Sequence, residues 1–91
     1  MRKGTTKEII KDWLGYKILS NNKVVKSHEF EIDLVKYGEL YWGVKKLPSA
    51  YSRAWRSMRE HNEYTDVSTL LEVKKLQTKG AEGVWELITS T

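Results

Sequence analysis

The sequence predicts an α+β domain of three helices followed by a C-terminal β-hairpin. Three observations point there. Apolar residues recur at three- and four-residue spacing in three separate stretches, the signature of amphipathic helices. Two strand-like runs flank a glycine-containing basic segment, which is hairpin chemistry. The chain has 91 residues, the length of one domain with a small core.

The first helix is expected over 6–19. Thr5 and Glu8 have the spacing of a capping box, in which a threonine oxygen takes a first-turn N–H and the glutamate reaches back. Ile9, Ile10, Trp13, Leu14 and Ile18 then follow helical spacing, slightly weakened by Gly15. Ser20-Asn21-Asn22 ends the helix with turn-forming residues. The next stretch admits two readings. Val24-Val25 and the alternation of Phe30 and Ile32 favour a short strand. Phe30, Leu34, Tyr37 and Tyr41 fit one helical face, with Ser27 as N-cap. The preferred reading is a short extended segment leading into a second helix over 33–41, closed by Trp42-Gly43.

The third helix is expected over 48–61. Pro48, the only proline, suits a first helical turn, where its missing N–H costs nothing. The hairpin is expected over 69–88. Leu70, Leu71, Val73 and Leu76 lie in its first strand and Val84-Trp85-Glu86-Leu87-Ile88 in its second, with Gly80 and Gly83 in the turn.

With no cysteine, a disulfide framework and thiolate metal sites are excluded, and a reducing compartment fits. Apolar runs are too short to span a membrane. Met1-Arg2-Lys3 is basic, but no apolar region follows it, so no secretory signal is expected. The expected location is intracellular, in the cytoplasm or nucleoid or in a host cell's cytoplasm.

Net charge is +4, but it is unevenly spread. Residues 1–27 carry a balance of +5, residues 28–43 of −3 and residues 44–59 of +5. Glu60, Glu63, Asp66 and Glu72 then follow with no base among them. Such alternation folds readily into one basic and one acidic surface.

The basic stretch around the third helix is the most informative. Tyr51, Ala54, Trp55 and Met58 share one side, whereas Ser49, Ser52, Arg53 and Arg56 fall opposite and Arg59 on the flank. A helix anchored by apolar residues and showing serine and arginine suits the major groove of DNA. Arginine forks match guanine edges and phosphates, and small hydroxyl residues allow close approach. The plain alternative is an amphipathic helix with a solvated basic face.

The order helix, extended segment, helix, turn, helix, hairpin resembles the winged helix-turn-helix superfamily. The resemblance covers nearly everything from Thr5 to Ile88. It rests most on Ser52-Arg53-Ala54-Trp55-Arg56-Ser57-Met58-Arg59-Glu60, similar to a recognition helix, and on Lys79-Gly80-Ala81-Glu82-Gly83-Val84-Trp85-Glu86-Leu87, similar to a wing turn and closing strand. It implies a small winged-helix domain in which Ser49, Ser52, Arg53 and Arg56 face the major groove. Arg59, Lys45 and Lys46 would contact phosphates, and Lys74, Lys75 and Lys79 would line the wing. The implied partner is double-stranded DNA, which most members bind, although a substantial minority bind only protein. Two departures stand out. Tyr51 and Trp55 are bulky for a groove-entering helix and so must turn into the core. Glu72, Glu82 and Glu86 would repel nucleic acid if they faced it.

Other constellations point to no chemistry of their own. His28 and His61 lack the converging ligands of a zinc site. Glu29, Glu31 and Asp33 would share one face of a strand, where carboxylates can bind magnesium, but a solvated or partner-facing acidic run is the plainer reading. No phosphate loop or nucleophile-and-base arrangement is present, so no enzyme, cofactor or metal is expected. Trp13, Trp42, Trp55 and Trp85 are scattered over the elements and read as core or interface, with Trp42 and Tyr41 the pair expected at the surface.

The leading expectation is sequence-specific binding of double-stranded DNA through the third helix and wing, in transcriptional control or in recognition of a replication or recombination site. A homodimer or a larger protein assembly would enlarge so small a contact. The alternative is a winged-helix protein-interaction module, adaptor or inhibitor, using the acidic and aromatic segment 29–42. A nuclease subunit using the acidic cluster is a third. The map of ion pairs separates the first two: arginines neutralised by Glu60, Glu63 or Asp66 favour a protein partner.

Overall fold

The computed structural model describes residues 4–76 and 83–90. In chain order the elements are helix α1 (Thr6–Leu19), strand β1 (Val24–Lys26), helix α2 (Ser27–Tyr37), a π-helical turn (Gly38–Trp42), helix α3 (Pro48–His61) and strands β2 (Leu70–Leu76) and β3 (Val84–Thr89). The result is a small α+β domain of three helices and one three-stranded antiparallel sheet, ordered β1-β3-β2.

α1 occupies the span its spacing predicts. Thr5 Oγ1 accepts the Glu8 backbone N–H at 3.2 Å and donates to the Glu8 carboxylate at 2.9 Å, so half of the capping box forms and the return bond runs between side chains. α3 also starts and ends as expected, with Pro48 in its first turn and Asn62 in the left-handed region at φ 51° closing it.

α2 differs from expectation. It begins at Ser27, directly after β1, rather than at 33. Phe30 and Leu34 are buried while Ile32 is 59% exposed, so burial follows the helical period and not the alternation that suggested a strand. Ser27 is also not the N-cap. It is the first helical residue, its N–H donating to Gly83 O at 2.9 Å and its Oγ accepting the Gly83 N–H at 3.1 Å. These two bonds fasten the start of α2 to the start of β3. Glu29, Glu31 and Asp33 therefore lie on a helix and form no shared strand face.

The helix continues through the π-helical turn, which the spacing did not indicate. Gly38 permits it to pack against α3: a Cβ there would lie 2.4 Å from Tyr51 Oη. Asp12 on α1 holds the turn, accepting Tyr37 Oη–H at 3.0 Å and Trp42 Nε1–H at 2.9 Å on the same carboxylate oxygen. Gly43, at φ 65°, ends the turn in a conformation glycine adopts without strain.

The core lies between the helices and one face of the sheet. Ile9, Ile10 and Leu14 of α1 meet Leu34 of α2, Tyr51 and Met58 of α3, and Val25 and Leu87 of the sheet, all essentially without exposure. Trp13 and Trp55 flank Phe30 at 5.4 Å between ring centroids, and Trp55 meets Trp85 edge to face at 5.9 Å. Among the described residues, no helix is long and apolar enough to cross a membrane.

Candidate nucleic-acid interface

α3 presents the two faces its spacing predicts. Tyr51, Ala54, Trp55 and Met58 are buried, including both bulky rings that a groove-facing helix must hide. Ser49, Arg53 and Arg56 are exposed, and Ser52 and Arg59 are half-buried.

The acidic residues that follow α3 turn away from these arginines. Glu63 accepts Lys7 Nζ at 2.9 Å and Asp66 accepts Lys11 Nζ at 3.0 Å, both lysines belonging to α1. The Lys7 hydrogen bond is the largest cause holding the Glu63 carboxyl below its ordinary value, and the Lys11 bond does the same for Asp66. Arg53 and Arg56 form no ion pair or hydrogen bond among the described residues. The α1 lysines are thus neutralised and the α3 arginines are not.

No protein-family model, curated protein sequence or solved structure matches the chain.

Arg59 lies differently from its neighbours. Its guanidinium sits 4.3 Å from the centroid of the Trp85 ring and 5.6 Å from that of Trp55. Burial pushes its pKa below the usual arginine value, the charge of Arg56 adds to that, and Glu60 partly opposes it. Arginine stays charged through such shifts, so a cation is held over two indoles with a second cation nearby. The nearness of Arg59 to Trp55 was readable from their four-residue spacing. The Trp85 contact was not, because it joins distant parts of the chain.

Ser52, expected to face a groove, donates its hydroxyl to the Glu31 carboxylate of α2. That bond places an acidic group beside the arginine face, which spacing within α3 alone does not reveal.

The wing lysines divide between the two faces of the sheet. Directly paired residues of an antiparallel sheet share a face. Lys75 pairs with buried Trp85, so it lies on the face that carries Arg59. Lys74 pairs with Glu86, and Glu72 with Ile88, on the outer face. The described wing carboxylates, Glu72 and Glu86, therefore lie on the face away from Arg59. Lys79, with Gly80 and Glu82 of the expected wing tip, lies outside the described residues. Lys45 is exposed and Lys46 half-buried in the segment entering α3.

Between α3, β3 and the start of α2 lies a pocket of about 280 Å³. Arg53, Arg56 and Arg59 form its cationic side, and the rings of Phe30, Trp55 and Trp85 line it from the core. Two of the lining residues carry buried donors without a hydrogen-bond partner, Trp55 Nε1 and Arg59 Nε.

A second surface is built from α1, α2 and the π-helical turn. Tyr16, Leu19, Leu40 and Tyr41 are exposed, and the Tyr37 and Tyr41 rings meet at a tilt, 4.6 Å between centroids. Tyr41 is the exposed member of the aromatic pair expected at the surface. Trp42 is half-buried, with its indole N–H on Asp12. His28 and His61 neighbour Glu29 and Glu63 at 3.6 and 3.8 Å, and no group of three or more His, Asp or Glu among the described residues can hold a metal ion.

Proposed function

We propose that this is a winged helix-turn-helix domain that binds double-stranded DNA, with α3 entering the major groove and the β2–β3 hairpin serving as its wing. The carrying observation is the distribution of ion pairs. Glu63 and Asp66 are engaged by α1, so Arg53 and Arg56 remain unneutralised on the exposed face of a helix whose bulky residues are all buried. In this reading Ser49, Arg53 and Arg56 face the major groove, Ser52 stands at its margin with Glu31, and Lys45, Lys46, Arg59 and Lys75 contact the backbone. The domain acts inside the cell in transcriptional control or in recognition of a replication or recombination site. It is a binding domain and not an enzyme.

Selection from a random pool of duplex DNA at two salt concentrations tests this. An enriched motif whose retention falls steeply with salt is the expected result. A palindromic motif adds a homodimer. No enrichment and no retention at moderate salt would overturn the reading.

One observation favours a second reading, a protein-interaction module. Leu40 is 74% exposed and Tyr41 55%, both within the acidic and aromatic segment 29–42 and lining one cleft with Tyr16. Contiguous exposed apolar side chains of this kind mark partner surfaces. Loss of partner binding on Leu40→Ser with Tyr41→Ser, in a protein indifferent to DNA, would establish it.

A further inference from the structure

The pocket between α3 and β3 is assembled from donors that lack acceptors. Arg53 and Arg56 are unpaired among the described residues, and Arg59 is close enough to Arg56 for the two charges to oppose one another. Trp55, 3% exposed, has a buried indole N–H with no partner, and so has Arg59 Nε. Buried donors are ordinarily satisfied, and leaving one unsatisfied costs about 1–3 kcal/mol. Three guanidinium groups, one of them carrying an unsatisfied Nε–H, and the unsatisfied indole N–H of Trp55 favour a ligand that is an acceptor carrying negative charge.

Size and surroundings narrow it further. At about 280 Å³ the pocket is an open cleft at the low end of the ~300–1,000 Å³ of small-molecule sites, with room for a phosphate group. Ser27, the first residue of α2, lines the pocket, which brings the positive end of that helix's dipole to the same wall. The carboxylate at the margin is Glu31, held by Ser52.

We propose that this pocket is a phosphate socket. The guanidinium groups of Arg53, Arg56 and Arg59 surround the phosphate oxygens, and the indole N–H of Trp55 donates from below. Both donors are buried in the free protein, so a phosphate engages them with local rearrangement of the pocket, and no ion pair among the described residues holds Arg53 or Arg56 in place. Assigning the phosphate to a DNA backbone rests on the reading above, whereas the socket rests on its own geometry. Its consequence for DNA is an anchor for one strand at the junction of recognition helix and wing, independent of base sequence.

The test follows the indole Nε1–H and arginine Nε–H resonances of the whole chain as inorganic phosphate replaces chloride at constant ionic strength. Saturable shifts of Trp55 and Arg59, without comparable shifts of Trp13 and Trp42, are the expected result. Arg56→Gln should weaken phosphate binding about tenfold, the factor one charge-assisted hydrogen bond carries, and Glu31→Gln should strengthen it by removing the marginal charge. Arg56 is exposed, so the first variant should fold as the parent does. Absence of a shift beyond the chloride control would overturn the socket whether or not the protein binds DNA. Shifts with phosphate but none with a short duplex would leave the socket standing and overturn the DNA reading.

Discussion

α1 and α3 are helices of equal length with basic residues on their outer sides, yet their cations are in different states. Lys7 and Lys11 of α1 are tied to Glu63 and Asp66, and Lys17 is buried with its Nζ donating to Val24 O at 2.6 Å. Burial pushes the Lys17 pKa down, and Asp33 and Glu29 partly restore it. Arg53 and Arg56 of α3 have no such partners among the described residues. A count of basic residues treats the two helices alike. The placement of the carboxylates separates a fastening from a surface open to an anion.

The largest effect should come from the open cations. Each arginine that reaches a base or phosphate is worth about 1–3 kcal/mol, so Arg53→Ala with Arg56→Ala should weaken duplex binding about a hundredfold or more. Titrations at several salt concentrations would also show a shallower salt dependence. Because both residues are exposed, stability should move by no more than about 0.5 kcal/mol in denaturant unfolding. A folded double variant with undiminished affinity would show that open charge on α3 is only solubilising.

Disturbing the seat of α3 without touching its charge sharpens the contrast. Gly38→Ala would push a methyl group against Tyr51 Oη, and overpacking of this kind costs about 1–3 kcal/mol. The Tyr51 hydroxyl is buried without a partner, and burial together with Glu39 raises its pKa. Tyr51→Phe should therefore be tolerated alone and should recover much of the stability lost in Gly38→Ala. Thermal melts of the four proteins would reveal that coupling, and additive changes would disprove the contact's importance.

A smaller effect is expected from α1. Lys7→Ala with Lys11→Ala removes as much formal charge as the arginine pair, but from side chains already neutralised. It should lower Tm slightly and reduce duplex affinity far less. Equal losses from the two pairs would mean that binding follows net charge alone.

The smallest effect is a pH dependence. Glu63 and Asp66 titrate below their ordinary values of 4.5 and 3.8 because Lys7 and Lys11 donate to them in the folded state. The stability these pairs add is complete above those ordinary values and disappears as pH falls through the lowered folded ones. Acid unfolding curves of the parent and of Lys7→Ala with Lys11→Ala should converge in that acidic window. Curves that stay separate at the lowest pH would assign the difference to something other than the ion pairs.

Local chemistry made α1, α3 and the hairpin strands legible. Thr5 and Glu8, Pro48, and the apolar spacing around Trp55 each act within a few residues. The start of α2 was obscured because Phe30 lies on both a period-two and a helical pattern, and only the fate of Ile32 decides between them. The π-helical turn depends on Gly38 meeting Tyr51 and on Asp12 meeting Trp42, contacts between elements. The arginine face was readable from spacing within α3. Its companions were not, because Glu31 at Ser52 and Trp85 under Arg59 arrive from other parts of the chain.

Among the described residues, both edge strands of the sheet have β3 as their sole neighbour. On a ribosome, β1 and β2 emerge before that neighbour exists. Val25, fully buried in the finished protein, waits for Trp85 while most of the chain is synthesised. Such distant pairing closes slowly compared with a helix. A chain arrested before Val84 would carry its helices with no partner for either strand, so the sheet can close only once β3 has been made.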